Sequence, residues 1–239
     1  MSALRILSRL KPCAGASGAI PVAGCRIISA GNEALQIRTG ELPVLIDNLR
    51  AASTIVVALC HGVSRIIPLR PDQNPQDFDA AEVLTIGESG GRQLPGFEAG
   101  NSPALLVDIL SRKPRNTIAM RTSNLTRILL ECERAVICSG MNVRSVASYC
   151  TGRDICIVAA GGSRGQAEDM GVALALAALI GGASYDPAVL ACFARESEAA
   201  RHLQSLGFQD DIDYITGCGQ FAVVPVYDGR EIRNAELRP

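Results

Sequence analysis

The chain has no tryptophan, only 4% aromatic residues and two histidines in 239 positions. A core built without large rings must be aliphatic and alanine-rich, and 48% hydrophobic residues make that feasible. A single domain of this length buries roughly 70–75% of its unfolded surface. Nine cysteines are an odd number and no CxxC pair occurs. With only His61 and His202 beside them, a structural zinc site is excluded as an expectation, and free, mostly buried thiols in a reducing, cytoplasmic setting fit better. The 23 basic and 24 acidic residues leave a net charge of −1. That balance supplies no electrostatic footprint for nucleic acid. No apolar run approaches the ~20 residues needed to span a bilayer. Nothing in the sequence excludes a homo-oligomer.

The N-terminal 24 residues hold basic residues and no acid. Val22-Ala23-Gly24-Cys25 has the look of a lipoprotein cleavage box, but the stretch before it is too small and too interrupted by Gly and Pro for a signal core. Residues 1–24 are expected to be a disordered extension, and 25–239 a single α/β domain.

What the chain does have is a repeated rhythm of short apolar run, polar turn and helix. The first instance is Leu42 to Cys60, LPVLIDNLRAASTIVVALC. Val44-Leu45-Ile46 predicts a buried strand ending at Asp47. Ser53 and Thr54 are N-cap types ahead of a helix from Ile55, and Gly62 marks its stop. Further strands are predicted at Arg26–Ser29 and Arg65–Leu69, with Pro68 at an edge or strand end. Ala80–Ile86 is followed by a glycine-rich loop at Gly87–Arg92. Ser102 caps a helix whose first residue is Pro103. Thr117–Met120, Ala135–Cys138 and Ile155–Ala159 follow, each with a polar turn and a helix. Phe221–Tyr227 reads as a late strand broken by Pro225.

This alternation predicts an α/β architecture with a largely parallel sheet. In a parallel sheet the polar turns share one end, where ligands bind. Asp47, Glu88, Asn101, Asn124, Asn142 and Asp169 would then converge. Their donors are all oxygens, which suits Mg²⁺ or Ca²⁺ and not Zn²⁺. Mg²⁺ shares one or two carboxylates with a substrate phosphate, and Asp47, Glu88 and Asp169 would supply them. The Gly161–Gly165 loop suits an anion but lacks the Lys-Ser/Thr ending of a nucleotide P-loop. Neither histidine falls in a polar turn, so both read as structural or surface residues. The plain alternative for the first turn is that Asp47 caps a helix while Arg50 pairs with a surface acid.

Several pieces in order and spacing resemble the 2-phosphosulfolactate phosphatase family, the Mg²⁺-dependent enzymes of coenzyme M biosynthesis. They are Ile46-Asp47-x-Leu49-Arg50-Ala51-x-Ser53, Gly87-Glu88, Gly96-Phe97-Glu98-x-x-Asn101-Ser102-Pro103, Thr122-x-Asn124-x-Thr126, Met141-Asn142 and Glu168-Asp169. The resemblance covers about Arg26 to Ile232. It implies a three-layer α/β/α fold with a mixed sheet, and hydrolysis of a small phosphate monoester that also carries sulfonate and carboxylate. Asp47, as metal ligand or nucleophile, Arg50, Glu88 and Asp169 would be catalytic. Ser53, Thr54, Asn101, Ser102, Asn124, Thr126 and Asn142 would bind substrate. The chain departs from the family pattern at Ala52, Ser89, Leu125, Val172 and Leu174. Leu125 puts a bulky side chain where a backbone would approach the ligand, and Arg92, Arg121 or Arg164 would restore a lost anion donor. The alternative motivated by these departures is a non-catalytic homologue that binds anions.

Overall fold

A computed structural model describes residues 24–30, 35–161 and 166–235. The expected extension over 1–24 lies outside these residues apart from Gly24, and so does the Gly161–Gly165 loop apart from Gly161. Ten strands form one sheet: β1 (Cys25–Ser29), β2 (Leu42–Ile46), β3 (Arg65–Pro68), β4 (Val83–Ser89), β5 (Arg92–Gln93), β6 (Thr117–Arg121), β7 (Ala135–Cys138), β8 (Ile155–Ala159), β9 (Pro225–Tyr227) and β10 (Ile232–Asn234). The described helices are α1 (Ala51–Cys60), α2 (Pro103–Arg112), α3 (Leu125–Leu129), α4 (Val143–Cys150), α5 (Ala167–Ile180), α6 (Pro187–Arg195), α7 (Glu198–Ser205) and α8 (Gln209–Gly217).

The three layers follow from the twofold side-chain period of a strand. Leu45 packs into one core, and its neighbours Val44 and Ile46 into the core on the opposite face. Strands β7 and β8 divide the same way: Ile137 and Val158 join Leu45, while Val136 and Ile157 join Val44. Strands buried on both faces carry continuous apolar runs, which is why these segments are legible in the sequence. Helix α1 goes further. Nine of its ten residues, Ala51 to Leu59, are buried. A helix apolar all round belongs inside a protein.

The strand order is β1-β8-β2-β7-β9-β10-β3-β6-β4-β5. Neighbours from β1 to β7 are parallel, as are β3, β6 and β4. Between the blocks, β7–β9, β9–β10 and β10–β3 are all antiparallel. Three reversals make the second block run opposite to the first along the ladder. The sheet is mixed and largely parallel, as expected, with its parallel strands divided into two opposed blocks. The late hairpin β9–β10 is inserted as the sheet's centre, and its Pro225 and short strands gave little periodic signal.

Other boundaries also move. Strand β4 continues through Gly87-Glu88-Ser89 and turns at Gly90-Gly91 into β5. At Gly87 a Cβ would lie 2.4 Å from the Phe97 ring, so the glycine is needed for packing within the strand. Phe221–Val224 is not strand; β9 begins at Pro225. Of the eight described cysteines, all free, only Cys138, Cys150 and Cys156 are buried. No helix among the described residues is long and apolar enough to cross a membrane.

Candidate active site

A cleft of about 230 Å³ opens where the carboxyl ends of both parallel blocks meet. The first block contributes Asp47, just past β2, and Gly161, after β8. The second contributes Glu88 at the end of β4, Asn101 in the segment after β5, and Ser123 and Asn124 after β6. The first turn of α5 adds Glu168 and Asp169, and α7 closes one side with Ala199, His202 and Leu203. The two blocks run in opposite senses along the ladder, yet residues at the carboxyl ends of both line this one cleft.

Asp47 sits at the centre and is only 7% exposed. Its Oδ1 accepts from the Ala51 N–H at 3.3 Å, and its backbone carbonyl accepts from Ala52 at 2.8 Å. Asp47 thus serves the opening amides of α1. Burial pushes its carboxyl up to about 7, and the nearby charges of Glu88 and Glu168 push in the same direction. Asp169 is raised well above the usual carboxylate range by burial and by Asp47 and Glu168. Its Oδ1 accepts from the Asn48 N–H at 2.7 Å. Glu168 is raised too, chiefly by burial. Glu88 joins two turns: Oε2 accepts from Gly91 N–H at 2.8 Å, and Oε1 accepts from Ser123 N–H at 2.7 Å.

Among the described residues four carboxyl groups therefore share one partly closed cleft, against one lining arginine. Like charges gathered away from water raise each other's pKa, and a divalent cation relieves that repulsion. Asn101 Oδ1 is buried with no hydrogen-bond partner, in a residue 3% exposed that lines the same cleft. An orphaned carbonyl-type oxygen beside carboxylates is a hard-cation donor set. Among the described residues no three Asp, Glu, His or Cys side chains form a ready-made metal cage.

Arg50 lines the cleft but is already engaged. Nη1 lies 2.6 Å from Asp211 Oδ2, and Nη2 donates to the Gly91 carbonyl at 2.7 Å. Its guanidinium stacks on Phe208, 4.3 Å from the ring centroid. The peptide bond before it, Leu49–Arg50, is cis. The partner acid is buried, contrary to the plain alternative of a surface one.

Asp47, Arg50, Glu88, Asn101, Asn124 and Asp169 are thus brought together as expected. Five other residues are placed elsewhere. Ser53 and Thr54 are not caps: they lie inside α1, and their hydroxyls donate to the carbonyls of Asn48 at 2.8 Å and Arg50 at 3.1 Å. A hydroxyl within a helix's first turns bonds back to the preceding backbone in this way. Asn142 is fully buried: its Oδ1 accepts from Ser139 N–H, and its Nδ2 donates to the carbonyls of Ile137 and Val223. Thr126 is locked with Thr122 through reciprocal hydroxyl–amide bonds of 2.9 and 3.1 Å. Ser102 caps α2 as expected, accepting from Leu105 N–H, while its hydroxyl donates to Asp211 Oδ1 at 2.6 Å.

Leu125 does not obstruct the cleft, because its side chain packs into the core with Ile128 and Leu129. Arg121 cannot serve as a replacement anion donor, since it donates to the carbonyls of Arg70 and Gln73. Arg92 is exposed on β5, and Arg164 lies outside the described residues. His202, expected to be structural or on the surface, reaches the cleft and meets the Gly90 carbonyl at 2.8 Å through Nε2. A carbonyl only accepts, so Nε2 carries the proton. The helical stretch near 187–206 was legible, but nothing in it marks which face would turn toward strand ends. Asp211 and Glu168 are the other residues missed as site members. Glu168 had a signal, its adjacency to Asp169 in a helix's first turn.

Fold and cleft together define a three-layer α/β/α protein with an oxygen-donor site at its strand ends. Residues 31–230 match the family model described as 2-phosphosulpholactate phosphatase, and the chain belongs to that family. Among its relatives, the probable 2-phosphosulfolactate phosphatase of Thermotoga maritima is 31% identical over 202 residues, covering 76% of this chain and 87% of the relative. The 2-phosphosulfolactate phosphatase of Methanothermobacter thermautotrophicus is 30% identical over 213 residues, covering 82% and 92%. A probable 2-phosphosulfolactate phosphatase of Gloeobacter violaceus is 32% identical over 211 residues, covering 78% and 88%.

Proposed function

We propose that this protein is a Mg²⁺-dependent phosphatase that hydrolyses 2-phosphosulfolactate, or a close multiply anionic phosphate monoester, to the hydroxy acid and phosphate. The observation that carries this reading is the charge of the cleft. Among the described residues four acids line it, and the one lining arginine is paired with Asp211. A divalent cation would favour the ionised form of these acids and would supply the positive charge that a phosphate ester bearing further acid groups needs there. Family membership names the ester; the cleft's charge calls for the cation.

Asp47 and Asp169 would hold Mg²⁺, with Glu88 and the free Asn101 Oδ1 completing or orienting its water shell. When bound, the ion supplies charge neutralisation and Lewis acidity toward the phosphoryl group. The chain's own residues do the rest. Arg50 is set at the cleft to meet a phosphoryl oxygen with its remaining N–H groups. Asn124, at the start of α3, presents an amide with no capping bond to the cleft. The carboxyl of Glu168, raised by burial, is suited to accept a proton from an attacking water. Leu49, Ala199 and Leu203 form an apolar flank that limits bulk water.

Phosphate release from 2-phosphosulfolactate by purified protein tests this directly. Turnover with Mg²⁺ that stops on chelation supports the reading. No release at any divalent cation concentration, with phosphate binding retained, would favour the non-catalytic anion binder instead.

A further inference from the structure

We infer that Asp211 is the positioning residue that aims Arg50 at the phosphate ester, an assignment that rests on the phosphatase reading above. Asp211 comes from α8, 161 positions after Arg50. The two side chains are 2% and 1% exposed and meet at 2.6 Å. Both oxygens of Asp211 are allocated. Oδ2 takes Arg50 Nη1, and Oδ1 accepts from Ser102 Oγ at 2.6 Å and from Ala104 N–H at 3.2 Å. The carboxylate is therefore fixed against the start of α2 before it touches Arg50.

Arg50 is held on two further sides, by the Gly91 carbonyl at 2.7 Å and the Phe208 ring at 4.3 Å. Of the five N–H donors of this planar guanidinium, one goes to Asp211 and one to Gly91. Its plane is set by these three contacts, and the residue lines the cleft. A buried ion pair adds little stability over an apolar pair of the same volume. What it does supply is a single orientation for a side chain with many rotamers. Without Asp211, Arg50 would keep its charge and its place in sequence but lose the bond that sets its plane. Phe208 lies three residues before Asp211, so the same C-terminal segment provides both the carboxylate and the stacking surface.

The test is a double-mutant cycle on turnover of 2-phosphosulfolactate with saturating Mg²⁺, using D211N, R50M and the double variant. D211N is expected to lower kcat/KM by roughly 10- to 100-fold, the span of one charge-assisted hydrogen bond. In the R50M background the same substitution should change kcat/KM less than about twofold, because its effect passes through Arg50. An undiminished effect of D211N in R50M would overturn the assignment. So would a D211N protein with wild-type kcat/KM.

A second readout does not depend on turnover. Arg50 guanidinium N–H signals in NMR, assigned by their loss in R50K, should exchange slowly with solvent in the wild type. They should broaden or exchange fast in D211N. Persistence of slow exchange in D211N sinks the inference, whereas wild-type inactivity with the expected NMR change sinks only the phosphatase reading. If D211N does not fold, D211E is read in the same two ways.

Discussion

The backbone N–H of Asn48 donates to Asp169 Oδ1 at 2.7 Å, across 121 positions of sequence. This one bond ties the tip of β2 to the first turn of α5. It places Asp169 beside Asp47, whose charge adds to burial in raising the Asp169 carboxyl. An acid in a helix's first turn is favoured by the amide dipoles there, so the pairing is compatible with α5 as well as with the cleft.

Divalent cation should stabilise the protein through these acids. A ligand at ~100 times its dissociation constant adds about 2.7 kcal/mol to the folded state. The melting temperature should rise with Mg²⁺ in the wild type and rise much less in D47N and D169N. Differential scanning fluorimetry with and without EDTA checks this, and an equal shift in all three proteins would place the ion elsewhere.

Without metal, stability should fall as pH rises. The folded carboxyl of Asp47 titrates near 7 against an ordinary 3.8. Between those values the folded protein holds a proton that the unfolded chain has released. This contribution is complete below the ordinary value and is lost as pH climbs through the folded one, by roughly 4 kcal/mol as an upper figure. Metal-free protein should melt higher at about pH 5.5 than at about pH 8, and D47N should flatten that slope. Bound Mg²⁺ favours the ionised acids and should oppose the trend. A pH-independent melting temperature in EDTA would contradict the burial of Asp47.

Removing Arg50 should cost stability because it strands Asp211. Breaking a buried pair from one side typically costs about 3–5 kcal/mol. R50M should be destabilised by that order in urea unfolding, and R50M/D211N should recover part of it. Equal losses in the single and double variants would show that Asp211 does not depend on Arg50 for its burial.

Asn142 is expected to be a structural residue. Its side chain satisfies Ser139 N–H and the carbonyls of Ile137 and Val223. N142A should lose about 1–3 kcal/mol of stability from unsatisfied buried groups, with KM for the phosphate ester unchanged. A raised KM at wild-type stability would return Asn142 to the substrate site.

Gly87 should not tolerate a side chain. An alanine Cβ there would fall 2.4–2.6 Å from three Phe97 ring atoms. G87A should cost about 1–3 kcal/mol as overpacking and lower activity by displacing the adjacent Glu88. Thermal unfolding and phosphate release measured together check both effects.

The sequence by itself determined the α/β alternation and three of the four cleft acids, Asp47, Glu88 and Asp169, because these depend on local pattern. Strands buried on two faces must be continuously apolar, as in Val44-Leu45-Ile46 and Ile155 to Ala159. A carboxylate directly after such a run must sit at a strand end, as Asp47 does. The hydroxyls and amides were less legible. Ser53, Thr54, Thr126 and Asn142 have the composition of ligand-binding groups, but their bonds go to backbone a few residues away or across the sheet. Residue type does not say which partner will be closer. Tertiary structure alone decided that the two parallel blocks oppose one another, because strand direction depends on where the Pro225–Asn234 hairpin inserts. It also decided that α8 delivers Asp211 to Arg50. That contact joins segments 161 residues apart, and a single buried aspartate in a helix leaves no periodic trace of what it will meet.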